Sequence, residues 1–130
     1  MKKLLKLFLF LTLLTGSFLL VGCSSAGAEF RSISIWEAYD LIMENPDVIV
    51  LDVRSEEEFL SGHIEGSILL PVDQIEAQAE HILSDKDAVI LVICRSGVRS
   101  QSASQALADL GFTNIYDIGG ILSWPGEIVQ

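Results

Sequence analysis

The sequence runs Ala88-Val89-Ile90-Leu91-Val92-Ile93 and continues directly into Cys94-Arg95-Ser96-Gly97-Val98-Arg99-Ser100. Six consecutive apolar residues are typical of a strand that is buried on both faces of a parallel sheet. Beyond the loop, apolar residues recur with the period of a helix, which ends at a glycine suited to that position; they are Ala103, Ala106, Leu107, Leu110 and Gly111. The segment therefore predicts a strand, a tight loop that begins with a cysteine, and a helix.

The rest of the chain alternates between the same two patterns. Further strands are predicted at residues 48–53, 68–70 and 114–118, and helices begin after Ser34, after Ser55 and near Ile75. Strands that alternate with helices form βαβ units, so we predict an α/β fold with a mainly parallel sheet of four to five strands and helices on both faces. Ligands bind such sheets beyond the carboxyl ends of the strands, which is where Cys94 lies.

The amino terminus has the layout of a secretory signal peptide. Three lysines precede an uncharged stretch at residues 7–21, which is short for a spanning helix of about 20 residues. The next residues, Leu20-Val21-Gly22-Cys23, resemble the bacterial lipobox, in which the cysteine is lipidated and becomes the mature amino terminus. We expect a lipoprotein signal peptide at 1–22, a tether at 23–32 and a folded domain at 33–130. An ordinary secreted protein or an uncleaved anchor is the alternative.

These boundaries predict a domain in the cell envelope, held to a bacterial membrane by lipid on Cys23 and facing away from the cytoplasm. The chain has 130 residues, 8 basic and 18 acidic, and a formal net charge of −10. Loss of residues 1–22 leaves five basic residues and a charge of −13. Nucleic acid is excluded as a partner because it requires a basic face. An acidic surface also favours a monomer.

The loop that follows residue 93 has the features of a site for an anion and a reactive thiol. Its small residues allow the backbone N–H groups to turn inward, and the following helix contributes its positive end. Arg95 and Arg99 add two positive charges, so the pKa of the Cys94 thiol should be lowered. The alternative is that Cys94 is a buried structural residue and the two arginines pair with surface acids.

Four segments of the chain together resemble single-domain rhodaneses, which are sulfurtransferases. The segments are Leu51-Asp52-Val53-Arg54 followed by Glu58-Phe59, then Gly62-His63-Ile64-Glu65-Gly66-Ser67, then Cys94 to Arg99, and finally Gly119-Gly120 with Trp124. Ser67 replaces the usual alanine of the second segment, and Glu65 stands where proline is common. The resemblance covers about residues 33–126.

The resemblance implies a two-step transfer of sulfane sulfur. The Cys94 thiolate would attack the outer sulfur of a donor such as thiosulfate, and a thiophilic acceptor, either a small molecule or a protein thiol, would then remove the sulfur. The loop residues Ser96, Gly97 and Val98 would hold the persulfide, with Arg95 and Arg99 on the sulfonate oxygens. No metal or organic cofactor is implied.

Other residues of the matching segments are expected to support the site. We expect Asp52 to fix loops by hydrogen bonds, with Arg54 as its partner, and His63 to bond to backbone in a turn. Gly119 and Gly120 should let backbone pass near the active loop. The two tryptophans, Trp36 and Trp124, are expected in the core or at its rim.

Two other functions remain open at this point. A cysteine-dependent phosphatase or arsenate reductase has a similar loop but five residues between Cys and Arg, whereas this chain has four. No acid that could protonate a leaving alcohol is evident next to the loop. A non-catalytic rhodanese-like module that carries sulfur or binds a partner would also contain these segments.

Overall fold

The computed structural model describes residues 27–130, so the predicted signal peptide and Cys23 lie outside the described part. The strands are β1 (Arg31–Ser32), β2 (Ile49–Asp52), β3 (Ile68–Leu69), β4 (Val89–Cys94) and β5 (Asn114–Gly120). The α-helices are α1 (Ile35–Glu44), α2 (Glu56–Leu60), α3 (Ile75–Ile82) and α4 (Val98–Asp109), and short 3-10 helices occupy Val72–Gln74 and Ile121–Ser123.

The five strands form one sheet in the order β1-β5-β4-β2-β3, and every pairing is parallel. The predicted α/β architecture is confirmed. β4 lies at the centre, paired with β2 on one side and with β5 on the other, so the chain leaves the sheet after Cys94 between two other strand ends. The register places Asp52, the last residue of β2, beside Ile93.

Two helices begin with the same side-chain cap. Ser34 and Glu37 form a capping box at the start of α1, and Ser55 and Glu58 form another at the start of α2. In each box the serine hydroxyl accepts from the backbone N–H of the glutamate, whose carboxylate accepts from the backbone N–H of the serine. These contacts satisfy N–H groups that the first turn of a helix leaves free.

The sheet is covered on both faces by apolar side chains. One cluster joins β2, β4 and β5 to α3 and α4, and includes Leu51, Ile75, Val92, Leu107 and Ile115. The opposite cluster joins the sheet to α1. Burial of this apolar area supplies most of the favourable free energy of folding. Every residue of β4 except the first is buried, as its unbroken apolar pattern predicts.

The structure corrects the predicted start of the domain. Residues 31–32, which the sequence assigned to the tether, form β1, and Arg31 and Ser32 pair with Tyr116 and Asp117 of β5. Phe30 packs against the apolar cluster on the side of α3 and α4. β5 also continues to Gly120, beyond the predicted end at residue 118. Isolated two-residue strands have no sequence signal, because their stability comes from pairing with the neighbouring strand.

Between residues 27 and 130, no helix has both the length and the apolar character needed to cross a membrane.

Candidate active site

The candidate site lies at the carboxyl edge of the sheet, where the loop joins β4 to α4. Cys94 is the last residue of β4, and Val98 is the first residue of α4. Gly97 precedes the helix with a φ of +103°, a left-handed conformation that glycine adopts without steric strain. The loop thus turns from strand to helix within three residues and directs the N–H of Gly97, the residue before α4, towards the thiol.

The Cys94 thiol is buried but surrounded by hydrogen-bond donors. The residue is 1% exposed, and the Gly97 N–H donates to its Sγ at 3.0 Å. Burial by itself raises the pKa of the Cys94 thiol. The Ser100 hydroxyl and the backbone N–H groups of Ser100, Gly97 and Ser96 lower that pKa by more in total, so it lies below its ordinary value. The surroundings therefore favour the thiolate, the form that acts as a nucleophile.

Ser100 is a residue of the site that the sequence analysis did not single out. It is fully buried in the first turn of α4, and its hydroxyl donates to the Gly97 carbonyl at 3.1 Å. Together with its own backbone N–H, this hydroxyl lowers the pKa of the Cys94 thiol. Because a hydroxyl has a single hydrogen, it can turn from the carbonyl to the sulfur when the thiol ionises. The sequence signal that could have identified Ser100 is its position in the first turn of the helix that follows the cysteine loop.

The two loop arginines have different surroundings. Arg95 is exposed, and no hydrogen bond or ion pair of its side chain occurs within residues 27–130. Arg99, in the first turn of α4, donates from Nη1 and Nη2 to the two carboxylate oxygens of Glu58 at 2.7 and 2.8 Å. Arg99 is therefore held at the site by α2, a contact that the sequence analysis did not predict.

Glu58 is an acid beside Arg99 that the sequence analysis did not identify. Hydrogen bonds from Arg99 and from the Ser55 backbone lower the pKa of Glu58 to about 2. The carboxylate is therefore ionised at neutral pH and holds no proton to give to a leaving alcohol. The presence of this acid adds no support for the phosphatase alternative.

Asp52 and Arg54 form a buried ion pair next to the loop. Arg54 donates from Nη2 to Asp52 Oδ2 at 2.7 Å and from Nε to Asp52 Oδ1 at 2.9 Å. Its Nη2 also donates to the Gly62 carbonyl at 2.8 Å. Arg54 thus follows a strand end, as does Arg95, but the charge of Arg54 is compensated and its side chain is buried. The pair connects the end of β2 with the turn after α2.

The glycine pair after β5 lies against the loop. A Cβ atom on Gly120 would contact the Arg95 carbonyl oxygen and would lie within 2.7 Å of carbon atoms of Arg95 and Ser96. Gly119 has a φ of +82° and lies close to Gly97. The Gly119 N–H donates to the Asp117 carboxylate, which fixes this turn. At Gly120 only a residue without a side chain permits this approach of two backbone segments, whereas at Gly119 the positive φ favours glycine.

His63 is engaged away from the thiol. Its Nδ1 bonds to the Phe59 carbonyl at 3.0 Å, its ring stacks on Phe59, and its backbone pairs with Val129. Trp124 is partly buried and packs edge-on against Tyr39, whereas Trp36 is exposed. The expectation of a core or rim position thus fits Trp124 and is wrong for Trp36.

Residues 36–127 match the family model of the rhodanese-like domain. The chain belongs to the rhodanese-like domain family. It is 38% identical over 109 residues to the thiosulfate sulfurtransferase GlpE of Pseudomonas entomophila, covering 79% of this chain and 95% of that protein. It is 32% identical over 99 residues to GlpE of Coxiella burnetii, covering 75% and 90%.

Solved structures agree with this assignment. A rhodanese-related protein from Thermoplasma volcanium superimposes with a TM-score of 0.67 at 34% identity, over 77% of this chain and 98% of that protein. The family model and the names of these relatives together indicate a family of the sulfurtransferase type. Within residues 27–130, no cluster of three His, Cys, Asp or Glu side chains is arranged to hold a metal ion.

Proposed function

We propose that this rhodanese-like domain transfers sulfane sulfur from a donor such as thiosulfate to a thiophilic acceptor, through a persulfide on Cys94. The observation that carries the proposal is the Gly97 N–H at 3.0 Å from Cys94 Sγ, at the start of a helix whose first turn contains no acid. A thiolate and a persulfide anion are both stabilised by N–H groups and by the positive end of a helix.

In the first step, the Cys94 thiolate attacks the outer sulfur of thiosulfate. A bond forms between Cys94 Sγ and that sulfur, the bond between the two thiosulfate sulfurs breaks, and its electron pair leaves with sulfite. Arg99 and the exposed Arg95 are the cations available for the sulfonate oxygens. Two charged donors near the leaving group stabilise it as charge moves onto it.

In the second step, an acceptor thiolate or cyanide attacks the outer sulfur of the persulfide. The sulfur–sulfur bond breaks, the acceptor leaves with the sulfur, and the Cys94 thiolate is regenerated. The two half-reactions predict ping-pong kinetics. Cys94 is the one cysteine within the described residues, so no resolving thiol competes for the persulfide there.

The test is to incubate the purified domain with thiosulfate and determine its mass. We expect a gain of one sulfur atom that cyanide removes, and no gain in the Cys94→Ser variant, whose smaller but similar side chain should leave the fold intact. Wild-type protein that gains no sulfur would overturn the proposal. If the same protein then hydrolyses a phosphate ester, the phosphatase interpretation would replace it.

A further inference from the structure

Glu58 takes part in two structures at once. Its Oε2 accepts from the Ser55 backbone N–H at 3.0 Å, which closes the capping box of α2. The same carboxylate accepts hydrogen bonds from both Nη groups of Arg99. The Arg99 and Glu58 side chains are 36% and 25% exposed, so the pair is partly shielded from water.

This contact changes how Arg99 can act on an anion. A guanidinium has five N–H donors, and Glu58 takes two of them, so three remain for a bound donor. The charge of Arg99 is compensated at the same time by a carboxylate that is ionised at neutral pH. Arg99 can therefore still donate hydrogen bonds to an incoming anion. The Glu58 carboxylate, however, repels each negative charge that the anion carries.

We propose that Glu58 is a specificity-determining residue, which restrains the preference of the site for doubly charged sulfur donors over singly charged ones. The inference rests on the proposed function, because it concerns the donor that loads Cys94. It follows from the sign of the charges: a carboxylate beside the binding arginine repels a dianion more strongly than a monoanion of the same shape.

Two donors of nearly the same shape provide the comparison. Thiosulfate carries two negative charges, and methanethiosulfonate carries one, with a methyl group in place of one oxygen. Both present an outer sulfur to the Cys94 thiolate, and the leaving groups are sulfite and methanesulfinate respectively. The measurement is the second-order rate constant of persulfide formation for each donor in a single turnover, followed by mass.

The Glu58→Gln variant isolates the charge. Glutamine serves in capping boxes, so the start of α2 keeps its acceptor while Arg99 loses its counter-charge. The matched control is Glu37→Gln, which makes the same change in the capping box of α1, where the carboxylate bonds to Ser34 and no arginine contacts it among the described residues.

We expect Glu58→Gln to raise the ratio of the thiosulfate rate to the methanethiosulfonate rate about three- to tenfold, the effect of one unit charge a few ångströms away in a partly hydrated site. The gain should shrink as salt is added. Sulfate should also protect Cys94 from alkylation at lower concentration in this variant. Glu37→Gln should leave the ratio at its wild-type value.

The other outcomes overturn the inference. An unchanged ratio would show that Glu58 only caps α2, and a lower ratio would show that it serves to orient Arg99 for the dianion. If wild-type Cys94 gains sulfur from neither donor, the proposed function fails and this inference fails with it. Loading by both donors with an unchanged ratio would overturn the inference alone.

Discussion

At the scale of single residues, the reactivity of Cys94 depends on a balance between burial and hydrogen bonding. The thiol is almost completely buried, which raises its pKa, yet donors from Ser100, Gly97 and Ser96 bring the pKa below its ordinary value. A backbone donor can be removed only by substitution with proline, which also fixes φ and would distort the loop. Ser100 is therefore the residue at which the balance can be altered experimentally.

Ser100→Ala should raise the pKa of Cys94, because burial is kept while one donor to the thiolate is lost. The pH profile of alkylation by iodoacetamide should shift to higher pH, and sulfur loading at neutral pH should become slower. Ser104→Ala is the matched control, since Ser104 is buried in the same helix and its hydroxyl has no hydrogen-bond partner. If the pH profile of alkylation is the same in Ser100→Ala and in Ser104→Ala, the role of Ser100 is contradicted.

Arg99→Ala should lower kcat/KM for thiosulfate, because one charge-assisted contact to the donor is lost. The expected cost is about 1–2 kcal/mol, roughly 5- to 30-fold, towards the lower part of the range for charged contacts because Glu58 compensates the charge. Arg99→Lys should recover only part of the rate, because an ammonium group lacks the planar fork. Steady-state kinetics of both variants would test this. A wild-type kcat/KM in Arg99→Ala would show that thiosulfate is bound by Arg95 and the loop N–H groups instead.

At the scale of elements, the site depends on three segments that meet at the carboxyl edge of the sheet. The loop after β4 supplies the thiol, α2 holds Arg99 through Glu58, and the turn at the end of β5 lies against the loop. In the last contact, backbone meets backbone without a side chain between. A change in the β5 turn should therefore reach Cys94 without altering a residue of the loop.

Gly120→Ala should displace the Arg95–Ser96 backbone, because the added methyl group has no room. We expect a loss of about 1–3 kcal/mol in the free energy of unfolding, measured in urea, together with greatly slowed sulfur loading. Gly111→Ala is the control. Its φ of +91° makes alanine strained by about 1–2 kcal/mol, but nothing lies within 4 Å of the new atom. If both variants lose a comparable amount of stability and both load sulfur normally, the turn at the end of β5 does not affect Cys94.

At the scale of the whole molecule, we propose that the domain is attached to a membrane by lipid on Cys23 and not by its surface. A mature chain with a formal charge of −13 is repelled by anionic headgroups. Lipid chains supply attachment that is independent of this charge, provided that more than one is present. Phe30 and β1 pack against the domain within the described residues, and Cys23 precedes them in the sequence.

Cys23→Ala should release the protein from the membrane fraction and leave the activity of the soluble domain unchanged, because Cys23 precedes the folded part. Fractionation of cells and amino-terminal sequencing of the product would measure this. A variant that stays in the membrane fraction and keeps residues 1–22 would identify the segment as a plain anchor and reject the lipoprotein proposal.

Local patterns in the sequence were enough to predict the α/β class, the helix starts at Ser34 and Ser55, the buried central strand and the Cys94 loop, whereas the capping box at Ser55 and Glu58 was seen only in the structure. Each depends on interactions among residues a few positions apart, namely a hydrophobic period, a serine and a glutamate three residues later, or a cysteine at the end of an apolar run. Such signals can be recognised without knowledge of where the rest of the chain lies.

The groups that surround that loop could be identified only once the strands had been placed in the sheet. Arg99 and Glu58 are 41 residues apart, Gly120 meets Arg95 from the neighbouring strand, and β1 exists only through pairing with β5. These contacts depend on the order and register of the strands, which bring distant segments to one edge of the sheet. The physical reason is that parallel strands require long connections, so their neighbours at the site come from remote parts of the chain.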